Sequence, residues 1–115
     1  MLEGLPNAKD APRIGIYGTG RLCRAFLRVF DAAGRELIFL ETTATPGRSF
    51  AGRPVKGIDG SATLDLDAVI IASSKFADEM NKSVKRCLGS GMPVFFVPRR
   101  ILELEGCHAL DGLDR

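Results

Sequence analysis

Two glycines one residue apart, Gly18 and Gly20 in Ile16-Tyr17-Gly18-Thr19-Gly20-Arg21, follow a short apolar run and precede residues with helical spacing. That order reads as strand, tight turn and helix. A glycine at 18 permits the sharp turn, and a glycine at 20 lets an anion approach the backbone without meeting a Cβ. The amides from Gly20 to Leu22 would form an open helix N-terminus, where unpaired N–H groups and the helix dipole favour negative charge. The spacing supplies the first two positions of the dinucleotide-binding pattern G-x-G-x-x-G, with Cys23 at the third. The third glycine serves close packing of helix on strand, a task that a small cysteine partly performs.

Further candidates follow from the positions that would share this edge. Glu41 closes a second apolar run, about 20 residues past the turn, where an acidic side chain hydrogen-bonds a ribose 2′-hydroxyl in NAD-binding domains. Its alternative role is a solvent-facing strand terminator. Arg48 is close enough in sequence to meet a 2′-phosphate, so NADP is accommodated as well as NAD. Arg21 and Lys75 each stand at a helix start, placed to pair with a diphosphate or to be solvated. Ser73 and Ser74 either face a ligand or cap the second helix. The candidate cofactor-binding residues are therefore Gly18, Thr19, Gly20, Arg21, Leu22, Glu41, Thr42, Ser73, Ser74 and Lys75.

Other chemistries are not supported. The sole tyrosine, Tyr17, has Arg21 rather than lysine four positions on, so a short-chain dehydrogenase pair is not formed. Neither G-x-S-x-G nor the Walker pattern occurs, and the single histidine, His108, has no neighbours from which to build a triad or a metal site. Cys23, Cys87 and Cys107 are odd in number and far apart, which suits free thiols better than a disulfide framework. A net charge of +2 with interspersed signs makes no case for nucleic acid. No run has membrane-spanning length and no signal peptide is visible, so the expected compartment is the cytoplasm. No catalytic or metal-ligating residue is assigned, and a binding module is expected rather than a complete enzyme.

The elements that must position these residues can be placed along the 115-residue chain, which suits one domain. Residues 1–12 read as a flexible lead-in and residues 13–115 as the folded domain. Leu22, Phe26, Val29, Phe30 and Ala33 recur at helical steps, predicting a helix from Arg21 to Ala33 closed by Gly34. Glu36–Glu41, Asp67–Ser73 and Pro93–Val97 are apolar runs of the kind that form strands covered on both faces. Phe76, Met80, Val84 and Cys87 or Leu88 mark a second amphipathic helix, N-capped by Ser74 and ended by Gly89 and Gly91. Thr42 to Leu66, rich in glycine and proline, predicts an irregular crossover with a short edge strand around Arg53 to Lys56. Arg99 to Glu105 suits a helical turn and Gly106 to Arg115 a tail. The implied fold is α/β, a mainly parallel sheet of order 2-1-3-4 with room for a fifth strand and helices on both faces. Its strand-end crevice lies beside Gly18.

The pieces Ile16-Tyr17-Gly18-Thr19-Gly20-Arg21, Gly52-Arg53-Pro54-Val55-Lys56-Gly57, Asp67–Ser73 and Gly91–Pro98 resemble the Rossmann-like, NAD(P)-binding domain that precedes the catalytic region in nucleotide-sugar dehydratases and epimerases and in polyprenyl glycosylphosphotransferases. The resemblance runs from Arg13 to about Leu110. It implies a nucleotide held at Gly18, Gly20 and Arg21, an irregular crossover after strand two, and a catalytic partner domain or chain. That family often has consecutive acidic residues after strand two, whereas Glu41 here is followed by Thr42 and Thr43. Alternatives are a protein-interaction or homodimerisation module with a vestigial crevice, and a coenzyme A-binding regulatory domain.

Overall fold

The computed structural model of the chain describes residues 9–30, 34–43, 47–59, 65–98 and 100–101. Among them the elements are β1 (Arg13–Tyr17), α1 (Arg21–Val29), β2 (Glu36–Glu41), β3 (Ser49–Phe50), β4 (Arg53–Gly57), β5 (Ala68–Ile71), α2 (Ala77–Leu88) and β6 (Val94–Phe96). The class is α/β. One six-stranded sheet runs β3-β4-β2-β1-β5-β6. Every pairing is parallel except that of β3 with β4. The order expected from the sequence appears within it as β2-β1-β5-β6. The full order differs because β3 and β4 extend the sheet outward from β2.

Continuous apolar runs become central strands because both faces of the sheet are covered, one helix to each. Ile14, Ile16, Phe39, Ala68 and Ile70 meet Leu22, Cys23, Ala25 and Phe26 of α1 on one face. Tyr17, Ile38, Leu40, Val69 and Ile71 meet Val84 of α2 on the other. Successive strand residues point to opposite faces, so a strand between two such layers needs an apolar residue at every position. Past the half-buried Arg13 at its start, Gly15 is the exception in β1. A Cβ there would lie 2.7 Å from Leu66 Cδ1 and 3.0 Å from Leu40 Cδ1, so its missing side chain makes room for those two leucines.

Several boundaries differ from the sequence expectation, each for a local reason. α1 stops at Val29, and Ala33 lies outside the described residues. Phe30 still donates its N–H to the Phe26 carbonyl, but its ψ of 125° takes the chain out of the helix. Its ring then stacks on Phe26 at 4.6 Å. Val29, expected on the buried stripe, is 52% exposed. α2 begins at Ala77 with Phe76 at its cap position, not Ser74. No side chain caps α2; the Ser73 hydroxyl instead accepts the Phe76 N–H at 3.1 Å, closing the turn that precedes the helix. Phe76 itself is exposed. The end of α2 at Gly89, with φ of +99°, is as expected.

The lead-in is packed at its end. Ala11 is buried in the α1 face of the core, and the Pro12 carbonyl accepts the Glu36 N–H at 2.6 Å. The folded chain thus begins at least two residues before Arg13, while residues 1–8 lie outside the described part. Of the expected C-terminal turn, Ile101 is buried and donates its N–H to the Pro98 carbonyl. The tail Gly106 to Arg115 lies outside the described residues.

The crossover carries the expected strand, β4, and a partner for it. Phe50 pairs with Arg53, leaving Ala51 and Gly52 as a two-residue loop with φ of +52° and +78°. Two positive φ values in a two-residue hairpin are the signature of a type I′ turn, which favours Asn-Gly. Ala51 bears a Cβ in the left-handed region and so carries strain. Ala51→Asn is therefore expected to raise stability by about 0.5–1 kcal/mol. In urea titration the midpoint should rise with an unchanged slope; a lower midpoint would refute the strain.

Candidate functional site

α1 leaves β1 over one face of the sheet and α2 leaves β5 over the other, so the neighbouring ends of β1 and β5 are not bridged by either helix. A crevice results, as at the switch point of open parallel sheets. Gly18 forms its floor. Its N–H donates to the Leu40 carbonyl at 3.0 Å, tying the turn to the end of β2. Its φ is +107°, and a Cβ would stand 2.9 Å from the Ala72 carbonyl oxygen and 3.2 Å from Met80 Cε. Only glycine satisfies both the dihedral and the space.

Gly20 is different. It occupies the N-cap of α1 with φ of −93°, a value open to any residue, and a Cβ there would meet nothing within 4 Å. No side-chain hydrogen bond caps α1, and its first turn contains no acidic residue. Arg21 begins the helix. The first turn of α2, by contrast, carries Asp78 and Glu79. The positive end of the α1 dipole is thus reinforced by the side chain beside it, whereas that of α2 is offset.

A cleft of about 390 Å³ lies between the two loops. Gly18, Gly20, Arg21 and Leu22 line it from the β1 side, with Ser73, Ser74 and Lys75 opposite. These are the residues that the sequence placed at the two strand ends. Ala72, Phe76 and Met80 complete the lining and were missed. Helical spacing had assigned Phe76 and Met80 to the core stripe, and only the late start of α2 turns Phe76 outward, at 53% exposure, with Lys75 Nζ 5.4 Å from its ring centre.

The other three candidates stand apart from this cleft. Thr19 turns towards β2, where its hydroxyl donates to Glu41 Oε2 at 2.5 Å. Arg48 grips the same carboxylate with two donors, Nε to Oε1 at 2.9 Å and Nη2 to Oε2 at 2.8 Å. Arg48 Nη2 also reaches the Thr19 hydroxyl at 3.3 Å. Glu41 is thereby a partner within the protein rather than a bare terminator of its strand. The hydrogen bonds from Arg48 and then Thr19 hold its carboxyl below the usual carboxylate range. Thr42 Oγ1 lies 2.9 Å from the hydroxyl of Tyr17 and satisfies that buried phenol.

Both thiols among the described residues are shifted away from the reactive thiolate form. Cys23, in the third position of the glycine pattern, is fully buried against the sheet, and desolvation pushes its thiol up to about 12. Burial and the hydrogen bond to Asp59 also raise Cys87. Among the described residues no group of three or more His, Cys, Asp or Glu side chains is placed to hold a metal. His108 and Cys107 fall outside them. No helix of the described residues is long and apolar enough to cross a membrane.

Two outcomes follow from this geometry. Gly18→Ala should cost about 2–3 kcal/mol in denaturant titration, since it combines a left-handed dihedral with contact against a backbone oxygen; a cost under about 0.5 kcal/mol would contradict the tight turn. Because the folded pKa of Glu41 is depressed, its contribution is present above the ordinary value of 4.5 and is lost as pH falls through the folded value. Stability measured between about pH 6 and pH 3 should therefore fall less steeply in Glu41→Gln than in the parent. Parallel curves would remove Glu41 from the acid response.

No family model, curated protein or solved structure matches the chain. The chemistry of the site rests on its own geometry.

Proposed function

We propose that this chain is a nucleotide-binding module, a Rossmann-like domain with NAD or NADP as the leading ligand and a relationship to nucleotide-sugar-modifying enzymes. The observation that carries the reading is Gly20, a glycine that neither its dihedral nor its surroundings require. Its missing side chain leaves space at the uncapped start of α1, beside Arg21 and inside the cleft. A diphosphate is the group that such a place suits, because its oxygens accept from backbone N–H groups and its charge meets the helix dipole. Ser73, Ser74 and Lys75 would complete the far side.

Glu41 fits a ribose in a specific way. A carboxylate offers about four acceptor directions, and Arg48 and Thr19 use three of them. One direction remains for a ribose hydroxyl. The dinucleotide would then bridge from the cleft to the end of β2, over the Gly18 turn. With no catalytic residue assigned, chemistry would come from a partner domain or chain.

Gly20→Ser tests the proposal because serine is a favoured N-cap residue, so the fold should be retained while a Cβ and hydroxyl enter the phosphate position. Thermal-shift and calorimetric titrations with NAD, NADP, nucleotide sugars and coenzyme A should identify a ligand that stabilises the parent. At a concentration 100 times Kd the gain would be about 2.7 kcal/mol. The variant should keep its melting temperature and bind about tenfold more weakly or worse. Silence across all ligands would overturn the proposal. A second reading, an interaction module, draws support from Phe96, 44% exposed on the outer strand β6. It predicts a concentration-dependent mass in sedimentation without any nucleotide response.

A further inference from the structure

A second cleft lies on the other side of α1, between that helix and the β3–β4 hairpin. It measures about 480 Å³ and is lined by Arg24, Leu27 and Arg28 of the helix and by Arg48, Ser49, Phe50 and Ala51 of the crossover. Among the described residues its lining holds three arginines and no acid. That concentration is notable in a chain whose whole formal charge is +2. Arg24 and Arg28 stand one helical turn apart on the same side of a helix whose nine residues include no acid. Guanidinium groups gathered in a concave, small-molecule-sized space suit an anion with several oxygens, more so than a single carboxylate.

Arg48 and Arg24 are each oriented by a neighbour. Glu41 sits outside the lining and fixes Arg48 through Nε and Nη2, leaving the guanidinium oriented before any ligand arrives. Arg24 lies with its Cζ 5.7 Å from the centre of the Phe50 ring, and that ring is anchored edge-on against the buried Phe39 at 5.0 Å. Leu27 and Phe50, both packed against the core, supply an apolar wall beside the cations. The cleft therefore pairs a cationic end with a flat apolar surface.

We infer that this cleft binds a small organic phosphate, its phosphoryl group on Arg24, Arg28 and Arg48 and its ring or sugar against Phe50 and Leu27. The site is separate from the glycine-turn cleft and does not depend on the nucleotide reading of that cleft. Three guanidiniums can each donate to a different oxygen of a tetrahedral dianion. The apolar wall adds contact area that inorganic phosphate cannot use.

The experiment titrates the full chain with phenyl phosphate and, separately, with inorganic phosphate, reading backbone amide and arginine Nε–Hε resonances by NMR. Both probes should shift the signals of Arg48, Ser49 and Phe50, and phenyl phosphate should bind about threefold to tenfold more tightly. The double variant Arg24→Gln, Arg28→Gln, which keeps good helix formers on α1, should weaken phenyl phosphate by about tenfold or more. A charge-matched control, Lys82→Gln with Lys85→Gln on α2, should change it by less than about twofold. Gly20→Ser should leave it unaltered, which separates this site from the nucleotide proposal. Equal losses in the double variant and its control, shifts confined to residues 18–22, or no advantage of the ring over bare phosphate would each overturn the inference.

Discussion

The close approach of the Gly18 backbone to Ala72 is the constraint around which the sheet's functional edge is arranged. Tyr17 offers its carbonyl to the Ala72 N–H at 2.9 Å, and one residue later the chain must turn away without a side chain to keep it apart. Gly18 manages this with a positive φ, its N–H reaching across to Leu40 on the opposite neighbour. One peptide unit thus spans the ends of β2, β1 and β5. The start of α1 is set by that turn, and the cleft is the space it leaves against the loop entering α2.

Charge is distributed around α1 in a way that propensity alone would not favour. A helix benefits from acids in its first turn, yet this one has Arg21 and Arg24 there and no acid. The unfavourable local electrostatics are offset by burial of Leu22, Cys23, Ala25 and Phe26, which anchors the helix regardless of its termini. Stability comes from one face of the helix, leaving its N-terminus and its outer face free to be cationic. Both clefts border this helix, one at its uncapped start and the other along its arginine side.

The crossover shows how packing can replace a regular element. Between β2 and β5 the described residues contain a hairpin where a layered fold of this class would carry a helix. Phe50 and Val55 deliver apolar groups to the α1 face of the core, and β4 continues the parallel pairing outward from β2. Arg48, at the hairpin's entry, returns to Glu41, so the hairpin is tied to the end of β2 and to the Thr19 turn. An exposed ion pair is worth little by itself, but its paired donors give it direction. Here the direction matters more than the energy, since it sets how Arg48 faces the second cleft.

The α/β class, the core strands and the glycine turn were readable in the chain because they depend on local pattern: unbroken apolar runs, helical recurrence, and two glycines at fixed spacing. Gly18 and Gly20 looked equivalent in sequence. Coordinates separated them, since one is required by a backbone oxygen close to its Cβ position and the other stands in open space. The hairpin escaped sequence reading because Ala51 sits where Asn-Gly would have announced the turn. The stop at Val29 and the delayed start of α2 were settled by rings finding partners or solvent, which no periodicity records. Glu41 was recognisable as a strand-end acid, but its grip on Arg48 and Thr19 depended on three segments meeting. Spacing along a chain fixes which residues can share an element, whereas the partners of a polar side chain are chosen by whatever else the fold brings within about 3 Å.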